Sequence, residues 1–236
     1  MVVGDSFTWG ENVSDSEVYS EILASKLEHT QVINMGVQAC GTDQQYLYLR
    51  REGFGYQPDL VIVSFFWADA QRNNLSIRDN PKPHFIIKSG ELCLQNTPVP
   101  DRDAIRRWPP QRRWSYLWLL LKKNYTNALA PTHFAKKWVL TEKILDEMLE
   151  ATMKYGAKFL PVYIPGSFTE GPDNEEVFAC KWAEKRGVLL LNTRKVFLEL
   201  DREQRNRVYK GCWTAFGHRI AGQAIAEKII SEHLLQ

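Results

Sequence analysis

The chain has 236 residues, 44% hydrophobic and 25% charged, with a formal net charge of +2. These values fit a soluble globular protein of one large domain or two small ones. They give no global electrostatic reason to bind nucleic acid or a membrane surface. Apolar runs such as residues 61–68 and 116–121 are far too short for a transmembrane segment, and the start lacks the basic, apolar and small-residue order of a secretory signal.

Val2 and Val3 read as the end of a buried strand that Gly4 terminates. So little of that strand is present that upstream sequence is expected. Residues 16–28 place Val18, Ile22, Leu23 and Leu27 at helical spacing, and residues 31–34 read as a short second strand. Gly36 and Gly41 bracket a loop. Thr42 with Gln45 reads as a capping box for a helix reaching about Arg51. Residues 59–66 are almost continuously apolar, as in a central parallel strand buried on both faces. Prolines from Pro81 to Pro110 forbid long helices in the next stretch, so residues 72–114 are expected to form an irregular excursion over the sheet, with a hairpin at 86–92 turning at Ser89-Gly90.

Residues 115–124 suggest a helix flanked by Arg106, Arg107, Arg112, Arg113, Lys122 and Lys123, with Trp108, Trp114, Tyr116 and Trp118 among them. That mixture suits either a surface for an anionic polymer or sugar, or an amphipathic helix with buried aromatics and solvated arginines. Helices follow at 135–155, 175–186, 194–200 and 214–235, and strands at 157–164 and 188–191. Gly187 fits a C-terminal cap and Thr214 an N-cap. Alternation of strand and helix over five strands implies a single α/β domain across residues 1–236, a three-layer α/β/α sandwich around a parallel sheet. The four cysteines, Cys40, Cys93, Cys180 and Cys212, form no Cys-x-x-Cys pair. Zinc is therefore not expected, nor any other metal or cofactor.

The chemistry concentrates at Gly4-Asp5-Ser6. A serine just past the carboxyl end of a parallel strand stands where open α/β sheets bind ligands. Its hydroxyl and its own N–H can both reach one substrate atom, as an acyl-transfer nucleophile requires. The same triplet also fits an ordinary turn with Ser6 as helix N-cap.

The wider spacing adds information. Gly4-Asp5-Ser6-Phe7-Thr8-Trp9-Gly10 resembles the first block of the SGNH (GDSL-like) hydrolases. Val32-Ile33-Asn34-Met35-Gly36-Val37 resembles the second, with Cys40 to Tyr46 as its sequel. The run from Pro58-Asp59 to Asp69 resembles the third, and Cys212-Trp213-Thr214-Ala215-Phe216-Gly217-His218 the last. The resemblance implies a flavodoxin-like strand order 2-1-3-4-5 and an esterase mechanism. Ser6 would be the nucleophile. The oxyanion hole would come from the N–H groups of Ser6 and Gly36 and a third-block asparagine side chain. An Asp-x-His element would supply acid and base.

Three of those positions depart from the pattern. Ala68 stands where the asparagine belongs, Lys210 where the acid belongs and Cys212 where the base belongs. Loss of one oxyanion donor costs ~10²–10³ in rate, and loss of a triad histidine on the order of 10⁶. A neutral thiol is a poor proton acceptor. His218 or Lys210 as an alternative base, and Cys212 as nucleophile, are the possible rescues. Their plain counterparts are a helix histidine, a solvated lysine and a small residue filling the vacated site. Two function classes follow: a carbohydrate O-acetyl esterase or similar small-molecule ester hydrolase with an unorthodox site, or a catalytically silent relative that binds a glycan or partner through the same cleft.

Overall fold

A computed structural model describes residues 1–66, 68–78, 80–100, 130–166, 168 and 171–235, the side chains of 130–137 excepted. The expected helix at 115–124, its basic and aromatic neighbours, and the part of the excursion beyond residue 100 lie outside the described residues.

Five parallel strands form the sheet, in the order β2-β1-β3-β6-β7. They are β1 (Val2–Gly4), β2 (Asn34–Gly36), β3 (Leu60–Phe66), β6 (Lys158–Ile164) and β7 (Leu191–Asn192). This is the 2-1-3-4-5 order of a doubly wound sheet. β3 is central and pairs with β6 along its whole length, from Leu60↔Lys158 to Phe66↔Ile164. Its six residues from Leu60 to Phe65 are all buried, because strand alternation sends them to two different apolar layers. Val2, Leu60, Ile62, Leu160 and Val162 join one core with α2 (Tyr19–Ala24) and the closing helix α9 (Ala215–Ser231). Val3, Val61 and Val63 join the other, under α3 (Thr42–Arg51) and α5 (Ala130–Lys154). Each fully buried aliphatic side chain contributes ~1.5–3 kcal/mol as an upper estimate.

The remaining elements are α1 (Ser6–Trp9), α4 (Asp69–Arg72), the antiparallel hairpin β4 (His84–Lys88) and β5 (Glu91–Gln95), α6 (Asn174–Arg186), α7 (Thr193–Leu198), α8 (Arg202–Asn206) and the hairpin β8 (Tyr209–Lys210) and β9 (Cys212–Trp213). The β4–β5 turn falls at Ser89-Gly90 as expected, with both residues at positive φ, 52° and 85°. Asp173 caps α6 and Gly187 ends it in the left-handed region. Thr214 caps α9 by accepting from the Gly217 N–H.

Several boundaries differ from expectation. The first crossover helix is shortened to Tyr19–Ala24, with a turn of 3-10 helix at Asp15–Glu17 before it. β2 begins three residues later than expected and β7 at Leu191. Edge strands pair on one side only, so hydrophobicity defines their ends poorly. The Thr42–Gln45 capping box is absent. Gly41 is the N-cap and makes no side-chain cap bond. Asn73 Oδ1 instead accepts the Asp43 N–H at 3.0 Å from a distant part of the chain. No helix among the described residues is long and apolar enough to cross a membrane.

Candidate active site

Ser6 opens α1 directly after β1, at the carboxyl end of the sheet. Asp5 caps this one-turn helix, its Oδ1 accepting the Phe7 N–H at 3.1 Å. The backbone turn leaves Ser6 92% buried with its hydroxyl aimed at one partner: Ser6 Oγ lies 3.3 Å from Cys212 Sγ. The two residues are 206 positions apart. Cys212 gets there on the β8–β9 hairpin, whose turn rests on Gly211 at φ 82°.

The thiol has a second neighbour. Its Sγ donates to Glu11 Oε2 at 3.5 Å. Burial pushes the Cys212 thiol up to about 11, opposed by the Ser6 hydrogen bond and assisted by the negative charge of Glu11. It is therefore a protonated thiol at neutral pH, neither thiolate nucleophile nor ready base. Lys210 pairs with Cys212 across the hairpin, and its side chain is exposed. That exposure gives the Ser-Lys alternative no support: no contact between Lys210 and Ser6 is seen among the described residues.

His218 is fully buried, stacked on Tyr19 and edge-on to Trp213. Its Nδ1 accepts the Tyr19 N–H at 3.2 Å, so the ring proton sits on Nε2. Burial lowers its pKa to about 4. Its acceptor nitrogen is already used, and it is a core histidine rather than a base for Ser6.

The expected oxyanion positions fare differently from one another. Gly36 ends β2 beside α1, but its N–H donates to Asn34 Oδ1 at 2.8 Å. That donor is committed to a side chain, because Asn34 also donates to Thr8 O at 2.7 Å and Ser20 Oγ at 2.9 Å, bridging β2 to α1 and α2. Gly36 is glycine for a steric reason as well: a Cβ there would lie 2.3 Å from Trp9 N and 2.5 Å from Thr8 C, both backbone atoms. Gly36→Ala is accordingly expected to destabilise the fold by ~1–3 kcal/mol, the range for overpacking; an unchanged urea midpoint would contradict that close approach. Ala68 follows β3 as the N-cap of α4 and has no side-chain amide to donate.

Beneath Ser6 lies a buried ionic knot that the sequence did not signal. Arg72 Nη1 contacts Asp5 Oδ2 at 2.7 Å and Asp69 Oδ1 at 3.0 Å, and also donates to Cys40 O at 3.0 Å. Both carboxylates are wholly buried. Burial pushes both above the usual carboxylate range against the pull of Arg72, and the Asp5 charge raises Asp69 further. Asp69 also accepts from the Phe66 N–H at 3.1 Å. The knot joins the ends of β1 and β3, and so fixes the turn that presents Ser6. Glu11 and Arg72 are residues that motif reading missed, and the role of Asn34 within the second block was not read. The Glu11–Cys212 and Arg72–Asp5 contacts span 201 and 67 positions, which no local spacing encodes.

A cavity of about 490 Å³ opens at the opposite, amino end of the sheet, beside Gln31, Pro58 and Lys158. A smaller one of about 220 Å³, lined by Met35, Val37, Cys40, Gln44, Gln45 and Tyr48, lies by the loop after β2. No group of His, Cys, Asp and Glu among the described residues is arranged to hold a metal ion.

No protein-family model matches the sequence, and no curated protein matches it significantly. Solved structures do match. A lipase/acylhydrolase from Enterococcus faecalis aligns over 98% of this chain and 94% of its own, with a TM-score of 0.57 and 16% identity. An acetyl xylan esterase aligns over 97% and 98%, with a TM-score of 0.57 and 13% identity. A member of the lipolytic G-D-S-L family from Veillonella parvula aligns over 98% and 94%, with a TM-score of 0.51 and 10% identity. Strand order, the position of Ser6 after β1 and these alignments agree: the chain has the fold of the GDSL/SGNH lipolytic hydrolases.

Proposed function

We propose that this protein is an SGNH-type serine esterase-like domain spanning residues 1–236, with Ser6 as nucleophile and with hydrolytic turnover impaired. The observation that carries the reading is the contact between Ser6 Oγ and Cys212 Sγ at 3.3 Å. In this reading Ser6 is the nucleophile, and a protonated thiol occupies the position from which a base would act. Ala68 offers no donor, and the Gly36 N–H is already bonded. The substrate class that fits best is an O-acetylated carbohydrate or similar small ester. One structural neighbour is an acetyl xylan esterase, and Trp9, 57% exposed at the end of α1, offers a ring on which a sugar can stack.

Wild-type protein is expected to hydrolyse p-nitrophenyl acetate at a small fraction of a triad esterase's rate, given that a missing histidine costs on the order of 10⁶. The check is steady-state turnover of wild type beside Ser6→Ala. Wild-type turnover of ordinary esterase size that vanishes in Ser6→Ala would overturn the impairment.

A further inference from the structure

Glu11 lies on the turn that leaves α1, and two contacts fix it. Its N–H donates to the Ser6 carbonyl at 3.1 Å, and its Oε2 faces Cys212 Sγ at 3.5 Å. The sulfur in turn faces Ser6 Oγ at 3.3 Å. A thiol carries one proton and a carboxylate carries none, so the S–H points to Glu11. The Ser6 O–H then donates to the sulfur. The array has a direction, hydroxyl to thiol to carboxylate, and the raised Cys212 pKa of about 11 keeps the middle proton in place at neutral pH. Two other charges bear on it. The Asp5 charge also raises the thiol, but Asp5 is held by Arg72, and Lys210 lies across the hairpin with its side chain in solvent.

We propose that Glu11 is the positioning and proton-accepting partner of Ser6, acting through Cys212, and that Ser6 reacts slowly with activated acyl and phosphonyl groups by this route. This rests on the reading of Ser6 as nucleophile. As Oγ bonds to the electrophilic carbon or phosphorus, the hydroxyl proton passes to Sγ and the thiol proton to Glu11 Oε2. The leaving group departs with its bonding pair and takes up the proton that Glu11 Oε2 gives back through Sγ. No oxidant, reductant or co-reactant is required.

The test uses the full chain and an ethyl fluorophosphonate, with the Ser6 peptide followed by mass spectrometry. Wild type is expected to acquire the label at Ser6, and Ser6→Ala is not. Glu11→Gln should slow labelling at least about tenfold, toward the lower end of the ~10²–10⁴ that general-base assistance supplies. Glu11→Asp should recover part of the rate. Cys212→Ser, whose hydroxyl can relay, should stay near wild type, whereas Cys212→Ala should lose about as much as Glu11→Gln. The wild-type rate should already be level around neutral pH. Labelling in Glu11→Gln or Cys212→Ala at the wild-type rate overturns the proposal, as does a rate that climbs toward pH 11 regardless of residue 11. Equal labelling of wild type and Ser6→Ala overturns the proposal together with the nucleophile reading, whereas unimpaired labelling of Glu11→Gln removes Glu11 alone.

Discussion

The triple variant Cys212→His, Lys210→Asp, Ala68→Asn is expected to hydrolyse p-nitrophenyl acetate at least about a hundredfold faster than wild type, and faster than any of its single changes, because triad members act as a unit. Cys212→His places an imidazole on the hairpin whose present side chain already lies 3.3 Å from Ser6 Oγ. Ala68→Asn adds an amide at the start of α4, worth ~10²–10³ if it reaches the oxyanion. Lys210→Asp removes the nearby cation that opposes an imidazolium and offers an acid two residues from it. Glu11 gives Cys212→His a second route to orientation, since its carboxylate already faces the Cys212 sulfur. The single change Cys212→His in a Glu11→Gln background should therefore be slower than Cys212→His alone. Full recovery is not expected, because the Gly36 N–H stays bonded to Asn34 Oδ1. The measurement is steady-state turnover across the singles and the triple, each with a Ser6→Ala control. A triple variant no faster than Cys212→His alone, or a rate that survives Ser6→Ala, would show that the vacated positions are not what limits the site.

The fold was legible in the sequence where burial is extreme. The apolar run at 59–66 can serve only as a central strand, and it is β3, paired on both sides. The Ser89-Gly90 turn and the Gly187 cap were legible because left-handed backbone restricts residue choice. The meeting of Ser6 with Cys212 could be anticipated only because family blocks carry long-range geometry that local propensity lacks. What stayed hidden was polar and tertiary. Asn73 caps α3 in place of Thr42, because a side chain from another element can satisfy an orphan N–H as well as a local one. Asn34 takes the Gly36 donor through its own side chain, a contact set by how β2 meets α1. Glu11 looks like any loop carboxylate until the β8–β9 hairpin is folded against it. Lys210 and Cys212 are near neighbours in sequence, yet the hairpin leaves one side chain exposed and the other against Ser6, so the lysine does not stand in for the acid.

The largest stability effect is expected at Arg72. Arg72→Met keeps the length of the side chain and removes the guanidinium that pairs with both Asp5 and Asp69. Two wholly buried carboxylates would then face each other without a cation, and breaking such a buried arrangement from one side costs ~3–5 kcal/mol. The deficit has a defined pH dependence. Both carboxyl groups are already raised above the ordinary carboxylate range by burial, with Arg72 pulling them down. Without Arg72 they rise further, so the folded variant binds protons more tightly than its unfolded chain. A raised folded-state pKa contributes stability that is fully present below the unfolded value and is lost as pH rises through the folded value. The variant should therefore be furthest from wild type at pH 7 and regain part of the difference as pH falls toward 5. Urea unfolding of both proteins at the two pH values measures this directly. Asp69→Asn in the Arg72→Met background should also recover stability at pH 7, since one buried charge is gone. A deficit below about 1 kcal/mol at pH 7, within the range of an exposed pair, would mean that the knot is wetter than its burial indicates. A large deficit identical at pH 7 and pH 5 would assign the loss to the hydrocarbon contacts of Arg72 rather than to its charge. Because the knot ties the end of β1 to the end of β3, the same variant should also loosen the turn that presents Ser6, and its fluorophosphonate labelling should fall in step with stability across pH.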